Sequence, residues 1–160
     1  MPLNVTSKAF VNEATIPDVH SKKGGNISPA LEWSGAPERT ASFVLIADDP
    51  DAPKGLFTHW IVYGIDPGTT SLAEHQPDAP ELPNGARQGI NGFGELGYGG
   101  PQPPSGTHRY FFHLYAIDKD TKFPARLTRQ EIDDAIAGHV LEEATTMGRY
   151  SATGEKTFVA

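Results

Sequence analysis

Three short polar groups in this sequence have the residue types that a small anion-binding pocket needs. A polar turn at residues 49–53 follows an apolar run, His59 lies near the start of the next run, and His108 and Tyr110 begin a third. Imidazole and phenol groups donate hydrogen bonds to anions, and a carboxylate beside a histidine orients the ring and favours its cationic form. If the groups meet, we expect Asp49 to hold a histidine while the imidazoles and the phenol face the anion.

A glycine- and proline-rich stretch precedes His108 and offers main-chain donors to the same ligand. Residues 85–106 contain eight glycines and three prolines with hardly any periodicity, and such a stretch is too long for a simple connector. Gly99 and Gly100 let the backbone approach a ligand closely, and the prolines that follow stiffen the loop. We therefore expect amides of this loop to line a preorganised, phosphate-sized site.

Each group also has an ordinary structural interpretation. The sequence Asp-Pro-Asp-Ala-Pro is typical of a turn in which aspartates bond nearby amides. A single histidine in an aromatic strand is more often packed than bound to a ligand. The binding interpretation therefore depends on the groups meeting. The other histidines and several large aromatic residues are assigned to structure or core: His20, His75, His113, His139, Trp33, Trp60, Phe111 and Phe112.

Catalytic patterns are weak in this sequence. No Gly-x-Ser-x-Gly motif presents a serine nucleophile, and Ser105 lies in a loop where simple exposure explains it. Residues 92–97 fit a dinucleotide-binding pattern in letters only, because no predicted strand precedes them and no predicted helix follows. A metal site formed by Asp49, His59 and His108 is chemically possible, although the spacing matches no recognised metal pattern. A metal-assisted hydrolase is therefore only a weak alternative.

Three strands are predicted to position the polar groups. Residues 42–48, 58–65 and 108–117 are rich in β-branched and aromatic side chains, and their polar residues gather at the ends. If the strands are neighbours, these ends meet at one rim of a sheet. Alternation in the second strand places His59 and Trp60 on opposite faces, and both faces of the third are apolar enough to lie between two layers.

One helix is predicted, and it begins at Thr128. This threonine and Glu131 fit a capping box, in which each side chain accepts a hydrogen bond from a free amide of the other residue. Gly138 lies within the helical run, and we expect it to bend or weaken the helix before residues 141–145. The apolar residues that should pack on the sheet recur at helical spacing: Ile132, Ile136 and Val140.

Composition places the chain among single-domain β-proteins. Residues 1–160 make one domain by length, with short strands expected in residues 3–16 and 147–159 and a surface excursion in residues 66–83. No cysteine is present, so disulfides and thiolate metal sites are excluded. The net charge of -7 repels phosphate backbones, so no nucleic acid partner is expected. No signal peptide or membrane span is expected, and the predicted location is cytoplasmic.

The ordered motifs resemble the phosphatidylethanolamine-binding protein family, also called the Raf kinase inhibitor protein family, in its shorter bacterial and archaeal branch. The resemblance covers most of the chain, and several motifs in fixed order make it specific. It depends on Asn26-Ile-Ser-Pro-Ala-Leu-Glu-Trp33, Asp49-Pro-Asp-Ala-Pro53, His59-Trp60, Gly97-Tyr-Gly-Gly-Pro-Gln-Pro-Pro104, Gly106-Thr-His-Arg-Tyr110, Gly138-His139 and Gly148-Arg-Tyr150.

This resemblance implies a mainly β fold, a Greek-key β-sandwich of two antiparallel sheets with one or two peripheral helices. It also implies a cavity for phosphate-like anions, with no metal and no cofactor. Where many prokaryotic relatives have a cysteine, this chain has Gln102, and no further C-terminal helix like that of animal relatives is expected. The ligand-binding residues carried over by motif are Asp49, Asp51, Pro53, His59, Gly100, Pro101, His108 and Tyr110.

Two functional hypotheses follow. The first is non-catalytic binding of a phosphate-like anion or phosphorylated headgroup by a ligand-binding or regulatory module. The second is inhibition of a serine protease, a role that the resemblance includes, through the stiff proline-rich loop at residues 99–106. The expected partners are accordingly a small anion or phosphorylated ligand and a protein such as a protease. The resemblance also suggests a homodimer.

Overall fold

A computed structural model describes residues 2–152 of the chain. It contains two antiparallel sheets and one α-helix, so the predicted mainly β fold is confirmed. The helix α1 spans Arg129–Ile136, and a short 3-10 turn spans Asp18–His20. The strands are β1 (Asn4–Thr6), β2 (Leu31–Ser34), β3 (Ser42–Asp49), β4 (Phe57–Ile65), β5 (Ser71–Leu72), β6 (Arg87–Gln88), β7 (Thr107–Ile117) and β8 (Val140–Ser151).

The larger sheet has the strand order β6-β4-β3-β7-β8, and the smaller has the order β1-β2-β5. Within the larger sheet, β7 returns after a long connection to lie beside β3, on the side away from β4. The order β7-β3-β4-β6 is that of a Greek key, in which the last strand returns beside the first. The three predicted central strands are therefore neighbours, as the site requires.

The main core lies between the two sheets. Phe43 and Leu45 of β3, Trp60 of β4 and Phe112 of β7 are all buried there, and Trp33 of β2 packs edge-on against Phe43 with ring centroids 5.6 Å apart. Every residue of β3 is buried because the strand is covered on both faces. Its nearly continuous apolar run in the sequence reflects this position.

Helix α1 covers the other face of the larger sheet. Ile132 and Ile136 pack there against a cluster that includes Val44 and Ile46 of β3. The predicted capping box is present: the Thr128 hydroxyl accepts the Glu131 amide, and the Glu131 carboxylate accepts the Thr128 amide. The helical start was therefore predicted correctly from local sequence.

The end of the helix was predicted wrongly. Helix α1 ends at Ile136, and Gly138 has a φ of 81°, a left-handed backbone conformation that stops the helix. Val140, expected on the buried stripe, is 42% exposed and begins β8. Residues 141–145 accordingly belong to a strand that pairs with β7.

The expectation that β7 is buried on both faces is also wrong. Its residues alternate between buried and more exposed positions, and Phe111 and Tyr115 are only half-buried. Helix α1 is short, and Ile117 is the one residue of β7 that is fully buried in the cluster beneath it. Most of this face of β7 therefore lies beyond the cover that the helix provides.

The weaker predictions fare unevenly. Strand β1 forms within residues 3–16, and β8 reaches Ser151, whereas residues 153–159 of the predicted last strand lie outside the described residues. Residues 66–83 contain the short β5. Within residues 2–152, no helix has both the length and the apolar character needed to span a membrane.

Candidate functional site

A β-bulge in β4 brings His59 into the candidate site. Ala47 pairs with Trp60, but the next residue of β3 pairs with Thr58, so His59 is the extra residue of the bulge. Its ring lies edge-on to Tyr110 of β7, with centroids 5.2 Å apart. The prediction that His59 and Trp60 lie on opposite faces is therefore wrong. Both side chains lie on the face of the larger sheet that packs on the smaller one.

Asp49 and His108 meet where β3 ends and β7 begins. The His108 Nδ1–H donates to Asp49 Oδ2 at 2.6 Å, and both side chains are buried. The other oxygen of Asp49 accepts the amide of Asp51 at 2.7 Å. Asp49 thus holds the orientation of the His108 ring with one carboxylate oxygen and its own turn with the other.

The imidazole of His59 is held by the main chain. Its Nδ1 lies 2.6 Å from the carbonyl oxygen of Gly99, and the Gly99 amide donates back to the His59 carbonyl at 2.9 Å. Burial lowers the pKa of His59 below its ordinary value of 6.5, and nearby Asp49 and Asp48 oppose this shift. The ring is therefore neutral at physiological pH.

These contacts change the predicted donor pattern of the site. In His59 and His108 alike, the Nδ1 hydrogen is used inside the protein. Nε2 then donates to a ligand only when the ring is cationic, and it accepts when the ring is neutral. The expectation that both imidazoles simply donate to an anion is therefore incomplete.

The hydroxyl of Tyr110 is buried between the two histidines. Tyr110 is 2% exposed, and among residues 2–152 its hydroxyl has no hydrogen-bond partner. Burial raises the pKa of Tyr110, and the charge of Asp49 adds to the rise, while the main-chain N–H of Gln102 opposes it from the phenol oxygen and leaves the hydroxyl hydrogen without an acceptor. The phenol therefore stays protonated and keeps a hydrogen to donate.

A cavity of about 130 Å³ opens over these groups. It is comparable in size to a cavity of about 150 Å³ that holds benzene, so it has room for one small group. Two aromatic residues that the sequence analysis missed, Phe57 and Phe93, contact each other in its wall with centroids 4.8 Å apart. The lining residues are Asp49, Ala52, Pro53, Phe57, His59, Phe93, Gln102, Pro103, Pro104, His108 and Tyr110.

No local signal in the sequence marks Phe57 and Phe93 as part of the site. Phe57 begins β4, and Phe93 lies in the loop between β6 and β7. Phe57 packs over Gly92, where an added Cβ would meet its ring, and His59 lies 4.9 Å from Phe57 between ring centroids. Their place in the cavity follows from the folding of this loop over the strand.

Five of the eight predicted site residues line this cavity: Asp49, Pro53, His59, His108 and Tyr110. The other three, Asp51, Gly100 and Pro101, lie outside its lining. Asp51 forms a two-pronged ion pair with Arg109, with distances of 2.8 and 2.9 Å. The hydrogen bond and charge of this guanidinium lower the pKa of Asp51 to about 2.

The predicted amide donors of the glycine loop are not free. The Gly99 amide donates to His59, and the Gly100 amide donates to Asn26 Oδ1 at 2.7 Å. An added Cβ at position 100 would clash with the carbonyl oxygen of His20, so the glycine permits close packing of two loops. The expectation that these amides face the ligand is therefore wrong. The Pro101 carbonyl likewise accepts the amide of Lys22.

Residues assigned to structure lie mainly outside the cavity. His113 lies on the opposite face of the larger sheet from His108, with its ring nitrogens 3.1 Å from carboxylates of Asp48 and Glu143. Trp33, Trp60 and Phe112 are buried in the core, whereas Phe111 is only half-buried. The remaining histidines, His20, His75 and His139, do not line the cavity.

A metal site is not found in the part of the chain that the structure describes. Residues 2–152 contain no group of three or more histidine and acidic side chains arranged to hold a metal ion. The Asp49 carboxylate is instead engaged by His108 and by the Asp51 amide. The residues therefore do not fit the weak metal-site alternative.

Comparisons with known proteins agree with the fold. The family model described as phosphatidylethanolamine-binding protein matches residues 6–151. A UPF0098 protein of Methanothermobacter thermautotrophicus is 46% identical over 92% of this chain and 98% of its own. A UPF0098 protein of Aquifex aeolicus is 45% identical over 92% of this chain and 88% of its own.

Two solved structures are similar over nearly the whole chain. The phosphatidylethanolamine-binding protein homolog CT736 of Chlamydia trachomatis has a TM-score of 0.85 and 38% identity, covering 94% of this chain and 97% of its own. YbcL of E. coli, described as a new member of the mammalian family, has a TM-score of 0.87 and 31% identity, covering 94% and 99%. This chain therefore belongs to the phosphatidylethanolamine-binding protein family.

Proposed function

We propose that this protein binds one small oxyanion, the phosphate or carboxylate group of a larger ligand, in the cavity over His59 and His108, without turning it over. The observation that carries the proposal is the Tyr110 hydroxyl, a buried donor with no partner among the described residues. A buried polar group without a partner costs about 1–3 kcal/mol, so a ligand that accepts its hydrogen recovers this loss.

The charges around the cavity support a single binding position for an anionic group. Arg109 is paired with Asp51 outside the lining, so it supplies little free positive charge. Among the lining groups, His108 can carry a positive charge, and the Asp49 carboxylate bound to its Nδ1 compensates that charge. An anion bound at the Nε2 side of this ring then places the His108 cation between two negative charges, the Asp49 carboxylate and the ligand.

The apolar part of the wall supports a ligand that extends beyond its anionic group. Phe57, Phe93, Pro103 and Pro104 line the cavity beside the polar groups. Pockets with mostly apolar walls and a few convergent polar groups are typical of small-molecule sites. The anionic group then binds at the histidines, and the neighbouring carbon atoms of the ligand contact the rings.

The lining also supports binding without turnover. Its side chains include no serine, threonine, cysteine or lysine, and its one carboxylate is held by two hydrogen bonds. A covalent mechanism needs a nucleophile that a neighbouring base or a lowered pKa activates. Binding is the simpler activity for these residues.

A histidine-resolved NMR titration tests this proposal. Adding inorganic phosphate or phosphoethanolamine to millimolar concentration is expected to shift the His59 and His108 resonances and to leave His113 and His139 unchanged. His108→Ala is expected to weaken binding about tenfold, since a hydrogen bond involving a charged group contributes about 1.5–3 kcal/mol. His113→Ala, on the opposite face of the sheet, is the control. Unchanged His59 and His108 resonances at millimolar ligand contradict the proposal.

A second candidate function, inhibition of a serine protease, is supported by the proline-rich loop. Gln102, Pro104, Ser105 and Gly106 are exposed, and the loop is fixed at both ends by hydrogen bonds at the Pro101 and Gly106 carbonyls. A loop that is already ordered loses little entropy when it enters a cleft. Chymotrypsin-like and subtilisin-like proteases are expected to lose activity at excess protein, and undiminished cleavage eliminates this candidate.

A further inference from the structure

The hydrogen on the His59 ring is placed by its partner. A carbonyl oxygen only accepts hydrogen bonds, so the 2.6 Å contact with Gly99 requires a hydrogen on Nδ1. Burial lowers the pKa of His59, so the ring carries no second hydrogen near neutral pH. The Nε2 atom of His59 therefore carries a lone pair and accepts hydrogen bonds.

His108 repeats this arrangement. Its Nδ1–H donates to the Asp49 carboxylate, so Nε2 of the neutral ring is also an acceptor. The lining groups that can donate to an anion are the Tyr110 hydroxyl, the Gln102 amide and, when its ring is cationic, His108, whereas neutral His59 offers only an acceptor. An oxyanion without hydrogen also offers only acceptors, so one of its oxygens placed against His59 Nε2 has no hydrogen to donate to it.

Several titratable or charged groups lie around His59. Asp49 of β3 and His108 and Tyr110 of β7 are the titratable groups of the cavity wall, and Asp48 acts on the ring through its charge. The raised pKa of Tyr110 makes the phenol a hydrogen-bond donor that does not give up its proton. Phe57 and Phe93 cover the ring on its other sides without polar atoms.

We propose that the pocket selects oxyanions that bring a proton with them, phosphomonoester monoanions rather than phosphodiesters, by accepting a P–OH hydrogen at His59 Nε2. The proposal rests on the proposed function, anion binding in this cavity. The hydrogen either stays on the ligand oxygen or moves to Nε2, and in both cases the complex contains one more proton than a phosphomonoester dianion together with a site in which His59 is neutral. A phosphodiester has no hydrogen on any of its phosphate oxygens, so a phosphate oxygen beside His59 Nε2 would place two acceptors together without a hydrogen between them.

The second ionisation of a phosphomonoester has a pKa of about 6, which sets the expected pH dependence. Above this pH the ligand is mostly dianion and must recover a proton on binding. Affinity is therefore expected to fall about tenfold for each pH unit above about 6, with close to one proton taken up per ligand at pH about 8.

Calorimetric titration with methyl phosphate and dimethyl phosphate tests the proposal, using buffers of different ionisation enthalpy at pH values from about 5.5 to 8. The expected result is proton uptake with methyl phosphate and binding of dimethyl phosphate weaker by about tenfold or more at pH about 7, because one buried acceptor is left unpaired. Methyl phosphate binding with no proton uptake, or equal affinity for both esters, overturns this inference and leaves the proposed function standing. No binding of either ester overturns both.

Two further measurements isolate His59. In His59→Gln the side-chain amide supplies a hydrogen near the position of Nε2, so binding of methyl phosphate should lose most of its pH dependence and the diester should bind about as well. His113→Gln, on the other face of the sheet, should keep the unmodified profile. Independently of either variant, the ¹⁵N shifts of the unmodified protein should give a neutral His59 ring with its hydrogen on Nδ1, and a hydrogen on Nε2 overturns the proposal.

Discussion

Replacing Tyr110 by phenylalanine removes a buried hydroxyl that has no hydrogen-bond partner among residues 2–152. In the free protein the Tyr110 residue is 2% exposed, and its hydroxyl has no protein acceptor. The cost of such a group is about 1–3 kcal/mol, and the void left by one oxygen atom offsets part of the gain from removing it. Tyr110→Phe is therefore expected to stabilise the free protein by about 1–2 kcal/mol.

The matched control is Tyr98→Phe. The hydroxyl of Tyr98 is also buried, but it donates to the His20 carbonyl at 2.6 Å. Removing it leaves that carbonyl without this donor, so Tyr98→Phe is expected to destabilise the protein by about 1–3 kcal/mol. The two variants make the same chemical change and should move the stability in opposite directions.

Urea denaturation followed by circular dichroism measures both effects. For a domain of this size, the expected gain in Tyr110→Phe corresponds to a rise in Tm of about 2–8 °C. The same variant should bind phosphate several-fold more weakly, since a hydrogen bond contributes about 0.5–1.5 kcal/mol. If Tyr110→Phe loses stability as Tyr98→Phe does, the hydroxyl is already satisfied in the free protein and the argument for a waiting donor fails.

Two further predictions concern the fold around the site. Gly138→Ala should destabilise the protein by about 1–2 kcal/mol because the backbone there has a φ of 81°. Gly68→Ala, where an added Cβ lies in open space, should change the unfolding free energy by less than about 0.5 kcal/mol. Equal effects of the two variants in urea denaturation contradict this prediction. The pKa of Asp51 is lowered from 3.8 to about 2 in the folded protein, so its ion pair stabilises the fold above pH 3.8, and this contribution is lost as the pH falls through about 2. Arg109→Gln should flatten the dependence of the urea midpoint on pH in this range, and an unchanged slope would show that the pair does not contribute.

Local sequence patterns determined several elements of this fold. The apolar runs of β3 and β4 and the capping box at Thr128 each depend on neighbours within a few residues, and each was predicted correctly. Gly138 was recognised as a weak point of the helix, yet its left-handed backbone ends the helix outright. The difference is one of backbone conformation, since helix propensity alone does not distinguish a strained interior glycine from a terminating one.

The sequence also indicated most of the polar residues that line the cavity, because their types and positions at strand ends are visible in it. Asp49, His59, His108 and Tyr110 come together as expected. The roles of Gly99 and Gly100 could not be predicted, because their amides are engaged by His59 and Asn26, residues far away along the chain. A glycine-rich loop therefore indicates close packing of the backbone, and its partner is decided by the fold.

Tertiary structure alone decided what the two histidines can do. The bulge that turns His59 toward Tyr110 arises from the pairing of β3 with β4, and strict alternation along one strand cannot reveal it. The hydrogen positions on the rings depend on the Gly99 carbonyl and the Asp49 carboxylate, which long-range folding brings within 2.6 Å. The sequence thus shows that histidines are present, whereas the donor and acceptor roles of their ring nitrogens depend on partners far away along the chain, which only folding brings close.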